Sequence, residues 1–175
     1  QQDNYLVYTP ASNYLGLDNF KYTIIDSSGQ TATGVVLVDV LPNDSLRLYL
    51  PLNETSGTVA LDQSVFKHDG VASGDLDFGL DSVSGRFASG VNLDGVDDHI
   101  AIDNLNINSE NVTLSGWVKL PDQPSGWSDI LFNRNAQAAG LSFGAATELR
   151  YHWNNNYWSW SSGLSLPLNK WVFVA

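Results

Sequence analysis

One short turn of this chain holds three aspartates, Asp94, Asp97 and Asp98, with only His99 beside them. Carboxylates this close repel one another unless a cation or a set of backbone N–H groups lies among them. Calcium takes about six to eight oxygen ligands, and a turn can supply both carboxylates and carbonyls. The sequence therefore predicts a Ca²⁺ site at these aspartates. In the alternative interpretation, Asp94 and Gly95 form an ordinary turn whose carboxylates accept backbone N–H bonds.

A second acidic run contains Asp75, Asp77 and Asp81. The run does not place a glycine and a terminal glutamate where an EF-hand calcium loop needs them. Charge runs are usually solvated. We therefore expect a solvated loop at this place in the chain.

Aromatic residues gather around residues 154–156, three asparagines that favour a tight hairpin turn. Aromatic faces stack on the C–H surfaces of sugar rings and are common in glycan sites. Side chains alternate between the two faces of a strand, so part of this group must face the core. Trp153 and Tyr157 flank the hairpin tip, and we predict that they contact a ligand together with Trp127.

The sequence carries no recognisable catalytic constellation. A retaining glycosidase needs two carboxyl groups about 5–5.5 Å apart, whereas Glu54, Glu110 and Glu148 lie far apart in the sequence. The three histidines lack metal-ligand spacing, the serines lack a nucleophile-elbow motif, and there is no cysteine. We therefore predict that this segment is not an enzyme.

Composition narrows the possible partners of the 175-residue chain. Hydrophobic residues make up 43% and aromatic residues 11%, which is enough for a packed core. The net charge of −11 repels phosphate backbones, so we expect no nucleic-acid partner. No apolar run approaches the ~20 residues that a membrane-spanning helix needs, so we expect no membrane insertion.

Short segments rich in β-branched and aromatic residues recur along the chain, and turn-forming residues separate them. The predicted strands are Tyr5–Tyr8, Phe20–Ile25, Thr33–Leu41, Leu46–Leu50, Gly90–Leu93, His99–Ile102, Val112–Leu120, Ile130–Phe132, Gly140–Phe143, Glu148–Trp153, Tyr157–Trp160 and Trp171–Val174. No helix-period segment exceeds a turn or two. Closely spaced short strands predict an all-β sandwich or jelly roll.

Both ends of the chain look interrupted. The chain begins within a strand-like segment and stops inside the apolar strand Trp171–Ala175. An open strand edge is a template for aggregation. We therefore expect that neighbouring domains of the same polypeptide, or another chain, complete this edge.

Residues 5–44 carry one recognisable set of positions. The set comprises Tyr8, Thr9, Pro10, Asn13, Gly16, Asp18, Phe20, Tyr22, Thr23, Asp26, Gly29, Ala32 and the run Val35–Val40. It resembles the last strands of a bacterial cadherin-like or immunoglobulin-like repeat. The segment 42–44 resembles the linker of cadherin-type repeats, which often helps to hold calcium between domains. The resemblance therefore implies a second calcium site that includes Asn43 and Asp44, whereas ordinary turn chemistry is expected at Asp18 and Asp26.

Residues 46–175 carry a longer set in sequence order. It comprises Tyr49–Leu52, Glu54, Ser56, Gly57, Asp62, His68–Gly70, Gly85–Phe87, Gly90, Leu93–Asp98, Val112–Val118 and Trp171–Ala175. The set is similar to the laminin G-like domains of the concanavalin A-like lectin/glucanase superfamily. The resemblance implies a two-sheet antiparallel jelly roll with further strands after Ala175. It also implies core positions for Trp117 and Trp171, and it favours the calcium interpretation because many members bind calcium.

We therefore predict an all-β chain with two parts. Residues 1–44 are expected to be the last strands of an Ig-like or cadherin-like β-sandwich, and residues 45–175 a concanavalin A-like jelly-roll sandwich. The predicted function is a non-catalytic, Ca²⁺-assisted module that binds a glycan or a cell-surface or matrix ligand outside a bacterial cell. Two alternatives stay open: a structural spacer, and an accessory module of a secreted polysaccharide- or protein-degrading enzyme.

Overall fold

The computed structural model describes residues 7–42, 45–105, 111–124, 128–133, 139–152 and 160–175. Its contacts divide the chain into two compact units. The first is Gln1–Tyr49 with Ser64–Phe66, and the second is Leu50–Gln63 with Lys67–Ala175. The predicted boundary between residues 44 and 45 stays a prediction.

Short antiparallel strands dominate the described ranges, as predicted. They are β1 (Gly16–Ile25), β2 (Thr31–Val40), β3 (Val59–Ala60), β4 (Gly70–Ser73), β5 (Ser82–Ser84), β6 (Ser89–Val91), β7 (His99–Ile102), β8 (Gly116–Val118), β9 (Ser128–Asn133), β10 (Ala139–Phe143), β11 (Glu148–His152), β12 (Trp160–Ser165) and β13 (Val172–Val174). An α-helical turn, α1 (Phe78–Asp81), lies between β4 and β5, and a 3-10 turn (Ala145–Thr147) lies between β10 and β11.

The first unit contains the β1–β2 hairpin, whose register runs from Gly16 opposite Val40 to Ile25 opposite Thr31. Its turn forms because Asp26 Oδ1 accepts the backbone N–H groups of Ser28 at 2.8 Å and Gln30 at 2.9 Å. Aspartate stabilises turns in this way by bonding to backbone a few residues further on.

One face of this hairpin is half-buried. It carries Phe20, Val36, Val38 and Val40, which alternate with exposed neighbours along the strands. The ring of Tyr8 stacks on that of Phe20, with centroids 6.0 Å apart. This alternation gives the hairpin one apolar face, as expected for part of a β-sandwich.

The described residues of the second unit form four groups of paired strands. The largest is a four-stranded antiparallel sheet in the order β12-β11-β10-β9. The others are β3-β4-β7, β5-β6 and β13-β8. The close packing of β4 against β7 requires glycine at position 70. A Cβ on the buried Gly70 would lie 2.4 Å from Ile100 Cγ2.

The hydrophobic core of the second unit lies between the four-stranded sheet and the β13–β8 pair. Leu141, Phe143 and Leu149 come from the sheet, and Val174 comes from β13. Val118 of β8 packs against this cluster. Two sheets that face each other across one apolar layer form a sandwich.

Three local predictions are wrong. Residues 46–50 form no strand; Pro51 follows, which cannot donate to a ladder, and Leu52 takes a φ of 55°. The run from Asp75 to Asp81 is not merely a solvated loop, because it contains α1 with Phe78 buried. Trp117 was expected in the core, but it is 39% exposed on the outer side of β8.

Candidate functional site

The predicted acidic turn connects β6 to β7 and is held by its own backbone. Asp94 Oδ1 accepts the N–H of Val96 at 2.7 Å, and Gly95 takes a φ of 76° that suits glycine. Asp98 Oδ2 accepts the N–H of Asp94 at 2.9 Å, which closes the turn from the other side. The turn interpretation is therefore correct for Asp94, and it leaves other carboxylate oxygens for a ligand.

These bonds lower the pKa of the Asp94 carboxyl. The main cause is the N–H bond from Val96, and the N–H groups of Asp98 and Asp97 act in the same direction against partial burial. A carboxylate that accepts N–H bonds is stabilised in its charged form. Asp94 is therefore an anion near neutral pH, as a metal ligand has to be.

The structure adds Asp75 to the turn. Carboxylate oxygens of Asp75, Asp94 and Asp97 all lie within 4.8 Å of one another, and all three side chains are exposed. Two ligands at about 2.4 Å from one calcium ion lie at most ~4.8 Å apart. The spacing is therefore compatible with three carboxylates around one calcium ion.

Asp98 lies beside this group and contributes an unusual atom. Its Oδ1 is buried and has no hydrogen-bond partner within the described part of the chain. A buried polar atom without a partner normally has a large free-energy cost, so it requires an explanation. A cation or an ordered water at the acidic turn would provide one. The oxygens that lie within 4.8 Å of one another, however, belong to Asp75, Asp94 and Asp97, so the predicted ligand Asp98 lies outside that group.

Gly74 explains why Asp75 can reach the turn. A Cβ on Gly74 would lie 2.9 Å from Asp98 Oδ1 and 3.0 Å from the carbonyl oxygen of Asp97. The missing side chain lets the end of β4 approach the β6–β7 turn closely. In the sequence, the only sign of this contact is the glycine that directly precedes Asp75. The spacing between Asp75 and the acidic turn does not predict that the two meet in the fold.

The second predicted calcium site falls outside the described residues, because Asn43 and Asp44 are not among them. Two other aspartates of the first unit, Asp18 and Asp26, have hydrogen-bond partners within that unit. Tyr8 Oη donates to Asp18 Oδ2 at 2.6 Å, and Asp26 accepts backbone bonds in its turn. Both carboxyls have a lowered pKa, mainly from the Tyr8 and Ser28 hydroxyl bonds respectively. The Asp26 contacts agree with the expected turn chemistry. Asp18 differs from that expectation, because it lies within β1 and its carboxylate accepts from Tyr8, ten residues earlier in the chain.

The three predicted ligand-binding aromatics, Trp127, Trp153 and Tyr157, also lie outside the described residues. The strands on either side of residues 154–156, β11 and β12, are antiparallel neighbours. Tyr151 and Trp160 face each other across this pair, and their exposed rings stack with centroids 6.0 Å apart. The described part of this region therefore offers an aromatic surface.

A polar group lies on β11 and β12. Glu148 accepts bonds from the Ser161 hydroxyl and from Arg150 Nε at 2.8 Å. These bonds lower the pKa of Glu148, with the Ser161 hydroxyl as the largest cause. Glu148, Arg150 and Ser161 are hydrogen-bonded to one another, so they stabilise the β11–β12 pair. This group presents no free acid and base to a substrate.

Two family comparisons apply to these segments. Residues 94–175 match the family model of the concanavalin A-like lectin/glucanases superfamily. That family model describes laminin G-like domains, so residues 94–175 resemble such a domain. Residues 1–39 match a bacterial Ig domain. No curated protein and no solved structure matches the chain.

These matches confirm the predicted family resemblances and the all-β, concanavalin A-like sandwich. Laminin G-like and bacterial Ig domains usually occur in extracellular proteins, as binding or spacer modules that are typically non-catalytic. Within the described ranges, no helix is both long and apolar enough to cross a membrane.

Proposed function

We propose that the laminin G-like segment is a calcium-assisted binding module of an extracellular protein, with a glycan as its ligand. The observation that carries the proposal is the acidic cluster: carboxylate oxygens of Asp75, Asp94 and Asp97 within 4.8 Å of one another. Such a concentration of negative charge is unfavourable without a counter-charge. Oxygen ligands of this kind suit a hard cation such as Ca²⁺.

Asp75, Asp94 and Asp97 would hold the ion in this proposal, and Asp98 Oδ1 lies beside them. Bound calcium would neutralise the cluster and offer coordination positions to oxygen atoms of a ligand. The stacked, exposed rings of Tyr151 and Trp160 support a sugar as that ligand, because aromatic faces pack against the C–H faces of pyranose rings.

A calcium titration of the whole chain tests the metal site. Calcium at ~100 times its dissociation constant should stabilise the fold by about 2.7 kcal/mol, and a chelator should reverse this gain. Asp94→Asn removes the charge but keeps the Oδ1 acceptor for Val96, so it should abolish the calcium response and preserve the turn. Thermal unfolding with and without calcium measures both effects.

Asp122→Asn is the matched control, because Asp122 is an exposed aspartate outside the cluster. It should leave the calcium response unchanged. An equal response in the Asp94→Asn variant would place the metal elsewhere, with Asn43 and Asp44 as the next residues to substitute. No response in the unsubstituted chain would remove the calcium part of the proposal.

A glycan array run with calcium and with chelator tests the ligand. Binding that requires calcium supports the proposal. If no glycan binds and the chelator leaves stability unchanged, the chain acts as a spacer between other domains. The sequence beside this segment decides the remaining alternative, since an accessory module needs a neighbouring hydrolase domain.

A further inference from the structure

An exposed group of aromatic rings lies on the outer side of the β13–β8 pair. Phe87, Trp117 and Phe173 are 46%, 39% and 54% exposed. The ring centroid of Trp117 lies 5.8 Å from that of Phe87 and 5.6 Å from that of Phe173. Three large rings that stay in contact with solvent form an apolar patch, and such patches mark binding surfaces more often than single exposed residues do.

The rings are held in place by the backbone. Phe173 is the direct cross-strand partner of Trp117 in the β13–β8 ladder. Phe87 lies in the turn between β5 and β6, where Gly85 N donates to Ala88 O at 3.0 Å. A Cβ on Gly85 would lie 2.2 Å from Ser89 O, so the turn is tightly closed. A surface that is already ordered loses little conformational entropy when a ligand binds.

Arg86 places a cation on this patch. Its guanidinium carbon lies 4.9 Å from the ring centroid of Phe87 and 5.2 Å from that of Trp117. Among the described residues, Arg86 has no carboxylate or carbonyl partner, whereas Arg150 pairs with Glu148 at 2.6 Å. An unpaired arginine is notable in a chain with 19 acidic and 8 basic residues.

A second cation lies close to Trp117 in the sequence and on the same side of the strand. Burial alternates from Leu114 to Leu120, with both leucines turned to the core and Lys119 exposed like Trp117. Lys119 directly follows β8 and shares the exposed side of Trp117. It lies beside the Arg86 platform, by which we mean Arg86, Phe87, Trp117 and Phe173. Physiological salt screens charges over about 8 Å, so acidic groups farther away than that weaken this local charge little.

We propose that the Arg86 platform binds a sugar residue that carries a carboxylate. The aromatic faces would pack against the sugar ring, as they do in many glycan sites. The planar guanidinium presents parallel N–H donors that match a carboxylate, and Lys119 adds charge attraction. This site shares no residue with the acidic cluster, so it goes beyond the proposed function and does not require calcium.

The test uses the whole chain, a tetramer of galacturonic acid and the fully methyl-esterified tetramer. Isothermal titration calorimetry in the presence of a chelator should detect binding of the acid and at least tenfold weaker binding of the ester, a ratio equal to about 1.4 kcal/mol. Arg86→Gln should weaken binding of the acid to a similar extent. Phe173→Leu, which keeps an apolar side chain without an aromatic face, should also weaken it.

Arg47→Gln is the matched control, because the Arg47 guanidinium lies 4.5 Å from the ring centroid of Phe66 but outside the platform. It should leave affinity unchanged. Equal binding of acid and ester, an unaltered affinity of Arg86→Gln, or no binding at all would overturn the proposal. In the second of these outcomes Arg86 only covers the rings with its aliphatic stem. The calcium titration is independent, so either proposal can fail alone.

Discussion

Asp62 is 1% exposed, and it acts as a structural acceptor in the second unit. Its Oδ2 accepts the N–H of His68 at 2.8 Å, and its own N–H donates to Asp69 Oδ1 at 2.8 Å. Asp62→Ala removes the acceptor from a part-buried N–H, which should lower the free energy of unfolding by about 1–3 kcal/mol. Asp62→Asn keeps one oxygen and should lose less. Urea unfolding measures both, and Asp103→Ala, at an exposed position, should change little.

The pKa of His152 predicts a pH dependence of stability at the residue scale. Burial lowers this pKa below its ordinary value, and Asp129 opposes the shift. The unfolded chain therefore takes up a proton near pH ~6.5 that the folded chain resists. The contribution of His152 to the free energy of unfolding should be at its full value above that pH. It should fall as the pH drops toward the lowered pKa of the folded state.

His152→Gln should flatten this dependence. Urea unfolding midpoints between pH ~7.5 and ~5 measure this dependence. Carboxyls with a lowered pKa, such as Asp94, affect stability only when the pH approaches their ordinary pKa of 3.8, so they do not interfere in this range. A slope that persists in His152→Gln would assign the titration to another group.

The acidic turn was predictable from the sequence in one respect only. Asp94, Asp97 and Asp98 are close in sequence, and their turn follows from local chemistry. Asp75 joins them because β4 runs antiparallel to β7, which brings the end of β4 next to the start of β7. Its place in the cluster depends on that strand register, which no local pattern determines.

At the scale of elements, the turn between β5 and β6 has the tightest requirement for glycine in a described hairpin. Gly85→Ala would place a Cβ 2.2 Å from Ser89 O and 2.6 Å from Ser89 C. Backbone atoms cannot move aside easily, so this variant should lose about 1–3 kcal/mol of stability. Gly116→Ala on β8 meets nothing within 4 Å and should stay within ~0.5 kcal/mol. Equal losses in the two variants would contradict this assignment.

The elements were predictable where their sequences are long and alternating. His99–Ile102 has the predicted bounds, and β1 begins four residues before the predicted strand and ends with it. β2 begins two residues before the predicted strand and ends one residue before its predicted end. The short strands β3 and β4 were missed, because Gly70 is required by the contact with Ile100 and not by strand propensity. The helical turn α1 was missed as well, although Asp77 caps it by accepting the N–H of Gly79 at 2.6 Å.

At the scale of the whole molecule, the two units should differ in local stability. Within the described ranges, β1 and β2 pair only with each other, whereas β10 lies between β9 and β11 and is fully buried. A two-stranded hairpin is marginal without further packing. Hydrogen exchange monitored by NMR should show faster exchange in β1 than in β10. Equal protection would mean that other parts of the chain or a partner cover the hairpin.

The fold class of the whole chain was predictable because composition, strand pattern and family resemblance agree. The pairing of the strands into separate groups was not, because it depends on contacts between residues far apart in the sequence. Trp117 is an example. A large apolar residue on a predicted strand was expected in the core, but Trp117 lies on the exposed outer side of the β13–β8 pair. The two-residue period places a side chain on a face without saying which face is inside.

The close approach of Gly74 to Asp98 has a consequence for how this chain can diverge. Gly74 has a φ of 86°, and any Cβ there would meet Asp98 Oδ1 at 2.9 Å. It would also meet the Asp97 backbone at 3.0 Å, so a larger residue at 74 requires the β6–β7 turn itself to shift. Position 74 and the turn that contains Asp98 should therefore change together in homologous sequences. Homologues that keep glycine at 74 should therefore keep the acidic turn. Homologues that lack the turn should accept other residues at both places.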